Sequence, residues 1–358
     1  MQLVRRWPYT VAVGVSLLVG VAAVIGSQAL GVPLKDPEGF LGPAYVRLPL
    51  MALLISGVGI LIAAARRRGL RNLALGVREV IRHEWTLRRT LYIITGLATF
   101  YVSYVGYRNL KSVLPVYRDG TLYDRGLLEM DRWLFGGNDP AVVLHGVLGV
   151  DVTAVVLSFV YLAYLPLIPV TLGIFLVLSR DMAVGAWYAT MLCLNWVFGT
   201  VSYYLLPAVG PIYSRPDLYA DLPVTGVSTL QQALLDNRLE FLSSPVTSDA
   251  IHGVAAFASL HVSVTFAAAL FLQRTGHNVI VRTAAWSFFA LTFVATIYFG
   301  WHYVIDNIAG VAIGWAAVSV GAWATGCTKE RLEQIRSEPL LETPGEKDET
   351  KTMSGTSV

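Results

Sequence analysis

Hydrophobic residues run in long blocks along this chain, and charged residues gather in the short stretches between them. Eight blocks approach or exceed the roughly 20 residues that a helix needs to cross a bilayer core. They cover 9–31, 46–65, 91–109, 151–178, 183–206, 256–272, 283–300 and 303–325. Each is read as a transmembrane helix, because hydrocarbon offers the backbone no hydrogen-bond partner but itself. Pro166 and Pro169 predict a kink or tilt in the fourth block. Only Trp301 and His302 separate the last two blocks, which predicts a tight helical hairpin.

Two connecting stretches carry patterns of their own. Residues 123–135 alternate charged and apolar side chains at helical spacing and end on Trp133 and Phe135. That is the pattern of an amphipathic helix lying at the membrane surface; the plainer reading is a solvated helix covering the bundle. Asp139-Pro140 then offers an N-cap and a first-turn proline for a further short helix. Pro207, Gly210 and Pro211 end the fifth block and let the backbone approach its neighbours closely.

Composition points the same way, with 55% hydrophobic and 14% charged residues in 358, where a soluble domain carries about a quarter charged. The fold class is an all-α integral membrane protein with about eight transmembrane helices. The net charge of +3 matters less than its distribution. Arg5 and Arg6, the cluster Arg66, Arg67, Arg68, Arg71, Arg78, Arg82, Arg88 and Arg89, and the loop with Arg274 and Arg282 all fall on one side if there are eight spans. The positive-inside bias makes that side cytoplasmic, places both termini there and turns the loops at about 110–150 and 207–255 outward. Cys193 and Cys327 lie in or beside different apolar blocks and read as small buried hydrophobes, not a disulfide framework. Ser27-Gln28-Ala29 leaves a cleaved leader open as an alternative, one that does not reverse the later spans. The chain divides into two N-terminal helices with a basic loop (1–90), a membrane domain (91–326) and a charged tail (327–358), read as disordered.

The chemistry concentrates on the outward side. Four of the six histidines, His145, His252, His261 and His302, lie there. Ala258-Ser259-Leu260-His261 opens the sixth span and His302-Tyr303-Val304-Ile305-Asp306 opens the eighth. Both helices then start on the outer side, where their free N–H groups favour an anion within reach of two imidazoles. In a helix, His302 and Asp306 share one face, so the carboxylate can orient the ring while its other nitrogen meets a substrate. Ser259 is expected as the helix cap with His261 just inside. Arg108, Lys111, Arg118, Arg125 and Arg132 place five cations on the side that usually has few, which suggests phosphate binding or snorkelling to headgroups. Arg108 and Lys111, at the end of a span, are the first candidates, with Arg215 behind them. A zinc site from His252, His261 and His302 is conceivable by residue type, but the spacing carries no ligand signature.

On these motifs the chain resembles the membrane-bound type 2 phosphatidic acid phosphatase superfamily. The superfamily's Pro-Ser-Gly-His box stands here as Ala258-Ser259-Leu260-His261, and its His-x-x-x-Asp box as His302 to Asp306. The Ser-Leu-His form, the run Gly300-Trp301-His302-Tyr303-Val304-Ile305-Asp306 and the turn Pro207-Ala208-Val209-Gly210-Pro211 look closest to the inositol phosphorylceramide synthase branch. The likeness covers about 100–325 and departs at two cations. Ala295-Thr296 stands where the phosphatase pattern has Ser-Arg, and Ala208 stands at the lysine of Lys-x6-Arg-Pro, although Arg215-Pro216 is present.

The resemblance implies that His302 is the nucleophile forming a phosphohistidine, that Asp306 orients it and that His261 protonates the departing alcohol. Ser259 is implied to bind a phosphate oxygen, and no metal or other cofactor is implied. The resulting expectation is a phosphotransferase moving a phosphoryl or phospho-headgroup at the outer leaflet of the cell membrane. The donor is a phospholipid or polyprenyl phosphate, and the acceptor a lipid or glycan hydroxyl. The alternatives are a lipid phosphate or polyprenyl pyrophosphate phosphatase and, outside enzymes, a transporter or flippase with a His/Asp relay. Nothing in the sequence points to nucleic acid.

Overall fold

The computed structural model describes residues 7–39, 42–179 and 181–337. In chain order, α1 (Thr10–Leu30) and α2 (Ala44–Arg68) are followed by the shorter α3 (Leu73–Glu84), the long α4 (Leu87–Tyr117), α5 (Asp124–Leu134) and α6 (Pro140–Leu148). Next come α7 (Val152–Leu178), α8 (Met182–Leu205), the short α9 (Pro211–Ser214) and α10 (Gly226–Ser243). α11 (Leu260–Arg274), α12 (Val279–Tyr298), α13 (Val304–Thr325) and α14 (Lys329–Ser337) complete the described chain. The only strands among the described residues are the two-residue β1 (Glu38–Gly39) and β2 (Gly42–Pro43), paired antiparallel.

All eight apolar blocks are helices. Six of them, α1, α2, α7, α8, α12 and α13, are long and apolar enough to cross a membrane, and the protein is an all-α integral membrane protein. The remaining two differ for physical reasons. α4 has 31 residues but carries Arg88, Arg89, Arg108 and Lys111. α11 has only 15 residues, about 22 Å at 1.5 Å per residue. α7 runs unbroken through Pro166 and Pro169.

α8 is the axis of the bundle and packs against α1, α4, α7, α11 and α13. Because protein rather than lipid surrounds it, α8 can carry polar side chains that tie neighbours to it. Trp187 donates to the Val318 carbonyl at 2.9 Å, Asn195 accepts the Ser263 hydroxyl, and Ser202 accepts the Ala258 amide at 2.9 Å. Helices on the outside leave their apolar faces open, as Leu17, Leu18, Leu53, Leu54 and Ile280 show; lipid is the solvent that suits them.

Two expectations need correction. α12 and α13 do not form a packed hairpin; both pack on α11 instead, and α13 also on α8. A short connection constrains only the ends it joins, and here Asn307 holds those ends by donating to Thr296 Oγ1 at 2.9 Å and the Phe293 carbonyl at 3.2 Å. The tail does not begin as disorder, since Lys329–Ser337 is helical and Arg331 pairs with Asp181 at 2.8 Å. The tail beyond Ser337, like Arg5 and Arg6, lies outside the described residues.

α5 is the amphipathic helix read from residues 123–135, with an unusual division of its faces. Met130, Trp133 and Leu134 are exposed, whereas Asp124, Leu127 and Asp131 are buried. Its acids point into the protein, toward the end of the bundle where α4 and α8 finish and α11 and α13 begin. The arginines of 66–71 sit at the other end.

Candidate active site

His302 belongs to the turn 299–303 between α12 and α13. Thr296 sets that turn, its carbonyl accepting the amides of Trp301 at 2.9 Å and His302 at 3.2 Å. The Cβ of any residue larger than glycine at Gly210 would come within 2.5 Å of the Trp301 carbonyl, and Gly210 has φ +97°. The turn after Pro207 therefore needs glycine to lie this close beneath His302.

Asp306 holds the start of α13. Its Oδ2 accepts the Tyr303 amide at 3.0 Å and stands 3.5 Å from His302 Nδ1. That separation makes an ion-pair contact but exceeds a hydrogen bond, and His302 Nδ1 and Asp306 Oδ1 are both without a hydrogen-bond partner among the described residues. α13 begins at Val304, so the pair forms across the helix start and not along a helical face as the spacing predicts. With Nδ1 turned to Asp306, Nε2 is the ring nitrogen available to a substrate, although the Ala256 backbone also lies within reach of the ring.

Ser259 caps α11 as expected, its Oγ accepting the Val262 amide at 3.4 Å. Its own amide donates to the Asp306 carbonyl at 3.1 Å, a direct bond between the two motifs. Gly310 and Gly314 make this approach possible, since a Cβ at either would come within 2.5 Å of the Ser259 or Ser263 carbonyl. His261 follows in the first turn of α11, with its ring centroid 5.7 Å from that of His302. Tyr161 stacks on His261 at 4.7 Å and Tyr164 lies at 4.5 Å, so two tyrosines of α7 fix the imidazole from one side.

The two helix starts are not equivalent, against expectation. Asp131 of α5 accepts the amides of Val304 at 2.7 Å and Ile305 at 3.1 Å, which closes the N-terminus of α13 to any other anion. Asp124 similarly accepts the amides of Val209 and Gly210 and the Tyr303 hydroxyl at 2.8–3.1 Å. The amides of Leu260 and His261, by contrast, have no partner among the described residues. Of these two helices, α11 is the one that offers a free positive end.

Lys111 is buried, with its Nζ 4.9 Å from the centre of the Tyr203 ring and 5.8 Å from that of Tyr107. Arg108, one turn earlier, reaches toward Gly253. Arg215 is placed otherwise: its guanidinium makes a two-pronged pair with Asp217 at 2.7 and 2.9 Å, partly exposed. At the two positions where the resemblance expects cations, Ala208 is buried and accepts the Ala256 amide through its carbonyl, and Thr296 holds the His302 turn.

Sequence reasoning missed Arg238, which donates from Nη1 to His252 Nε2 at 3.0 Å. It also missed the aromatic support from Tyr161 and Tyr164, and the inward aim of Asp124 and Asp131. A signal existed for each pair. The tyrosines stand three residues apart in a largely apolar span, and the aspartates seven apart on one face of a helix. His145 has a structural place, with Nε2 donating to the Tyr298 carbonyl at 2.8 Å.

The arrangement brings a carboxylate-paired imidazole, a second imidazole, a free helix start and an unpaired buried cation to one place. Such a set suits attack on an anionic phosphorus centre. No curated protein and no solved structure matches the chain. A family model of the PAP2 superfamily does, over residues 125–320, a span that runs from α5 into α13 and takes in His261, His302 and Asp306. With more than half of its length matched, the chain belongs to the PAP2 superfamily.

Proposed function

We propose that this protein is a lipid phosphotransferase that works through a phosphohistidine on His302. The PAP2 match supports a phosphatase or phosphotransferase of lipid substrates as the general class. The observation that carries the finer reading is the pairing of His302 Nδ1 with Asp306 at 3.5 Å while His261 stands 5.7 Å away, ring to ring.

The His302 Nε2 lone pair attacks the donor phosphorus, forming an N–P bond as the P–O bond to the leaving alcohol breaks. His261, protonated as the anionic donor enters the site, gives its proton to that departing oxygen. Asp306 holds the His302 ring and stabilises its positive charge. The acceptor hydroxyl then loses its proton to His261 and attacks phosphorus, and the N–P bond breaks to restore His302. Lys111, Arg108, the open amides of α11 and the Ser259 hydroxyl, whose hydrogen stays free to donate, neutralise the phosphoryl oxygens. Arg215, tied to Asp217, is a weaker candidate for that role.

A lipid or glycan hydroxyl is the proposed acceptor, because the phosphatase cations at positions 208 and 296 are replaced by Ala208 and Thr296. With water as acceptor the same steps give a lipid phosphate or polyprenyl pyrophosphate phosphatase. The proposed site faces the outer side of the cell membrane, opposite the arginines of 66–71.

The test uses the full chain in lipid with phosphate-labelled phosphatidylinositol, phosphatidic acid and polyprenyl pyrophosphate. Label should pass to a new lipid or glycan, with a labelled protein intermediate that His302→Ala abolishes. Labelling that persists in His302→Ala would remove His302 as the nucleophile, and free phosphate alone would favour the hydrolase.

A further inference from the structure

Three cations converge on one loop beside the histidines with no carboxylate paired to any of them. Arg238 of α10 bonds His252 Nε2 at 3.0 Å. The guanidinium of Arg108 lies 4.0 Å from where a Cβ on Gly253 would sit. The His252 amide donates to Ser112 Oγ at 3.0 Å, which seats the loop on α4 next to Lys111. Burial first, and then the charges of Arg238, Lys111 and Arg108, hold the His252 imidazole well below the usual histidine range. His252 is thus neutral and offers Arg238 an acceptor but no counter-charge.

Among the described residues none of the three cations has an ion pair. Lys111 touches only rings, and Arg108 Nε is buried without a partner. Lys111 is buried and the two arginines are half-buried, with the Asp124 charge acting on Arg238 alone, so a bound anion would complete the neutralisation of the cluster. One phosphoryl group has three non-bridging oxygens, and Lys111, Ser259 and the α11 amides already face it in the proposed reaction. Arg238 approaches from α10 and meets the His252 ring, while the His252 amide meets Ser112 of α4.

We infer that Arg238 and the His252-Gly253 turn, with Arg108 shared between the two groups, form a second anion subsite that binds a further phosphate or carboxylate carried by the same substrate. The inference rests on the phosphoryl-transfer reading for the position of the first phosphate. It favours substrates with two acidic groups over singly charged phosphodiesters, because three cations outnumber a diester's one charge. A planar guanidinium fork gives such a group two parallel bonds.

The experiment measures equilibrium binding to the full chain in nanodiscs, with His302→Ala as the parent so that nothing turns over. Inorganic phosphate, inorganic pyrophosphate and phosphonoacetate are the probes. Pyrophosphate should bind at least about tenfold tighter than phosphate, near 1.4 kcal/mol. Adding Arg238→Gln should erase that preference while phosphate binding stays within about twofold. Phosphonoacetate binding as well as pyrophosphate identifies a carboxylate as acceptable, and weak phosphonoacetate binding restricts the subsite to phosphate. Equal binding of phosphate and pyrophosphate by the parent, or equal weakening of both by Arg238→Gln, overturns the inference. If Arg238→Gln lowers the unliganded melting temperature sharply, Arg238→Lys replaces it. That variant keeps the charge but loses the fork, and should lose at least about threefold of the preference; an unchanged preference overturns the inference. None of these readings needs a phosphohistidine, so loss of the transfer mechanism and loss of the subsite give different results.

Discussion

Asp131 directs its carboxylate at backbone rather than at a cation, and this sets how it titrates. Burial pushes its pKa up to about 6, the amides of Val304 and Ile305 pull against that, and the charges of Asp306 and Asp139 add to the rise. The folded chain therefore holds a proton between about pH 4 and 6 that the unfolded chain releases. The stability this adds is complete below the ordinary carboxylate range and is lost as pH rises through about 6. Relative to Asp131→Asn, which cannot ionise, the wild type should lose on the order of 1 kcal/mol between pH 4 and 7 after allowance for solvent screening. Melting temperatures in detergent across that range provide the measurement, and parallel curves for the two proteins would assign the titration elsewhere. The same residue shows the limit of reading a sequence. Its charge and helical position are plain, but only the folded chain reveals that it caps a helix 173 positions away.

At the scale of elements, the crossing of α11 and α13 decides whether the two histidines meet. Gly310 faces the Ser259 carbonyl so closely that Gly310→Ala must push the helices apart. Overpacking of this kind costs about 1–3 kcal/mol, and turnover should fall at least about a hundredfold because both imidazoles ride on the displaced elements. Gly57→Ala in α2 is the control, since its Cβ would meet nothing within 4 Å and alanine is the better helix former. Turnover and melting temperature measured together on both variants separate the cases, and a fully active Gly310→Ala would show that the crossing tolerates a methyl group. Helix existence was legible in the apolar blocks because hydrocarbon demands long runs. Packing partners were not, as the α12–α13 pair shows, because connection length constrains ends and says nothing of faces. The i, i+4 spacing of His302 and Asp306 pointed to the right pair through the wrong geometry, since the N3 position of Asp306 starts the helix after His302. Arg238 and His252 stay anonymous in sequence, separated by a polar loop with no period to join them.

For the molecule as a whole, the proposed orientation follows from the basic loops at one end and the histidines at the other. A cysteine at exposed Asn138 should react with a membrane-impermeant maleimide from outside intact cells, and one at Arg71 only after the membrane is opened. Cys193 and Cys327 are buried and contribute little background. The reverse labelling pattern would put the site on the cytoplasmic side. The family match begins at residue 125, after α4 has ended. His261, His302 and Asp306 therefore lie inside the matched segment, while Arg108 and Lys111 lie outside it. The reactive group and much of the charge that would select its substrate are written in separate stretches of the chain. Changes in α4 can then retune what the protein accepts while leaving the proposed nucleophile untouched, so kinship over the matched segment alone does not predict a shared substrate.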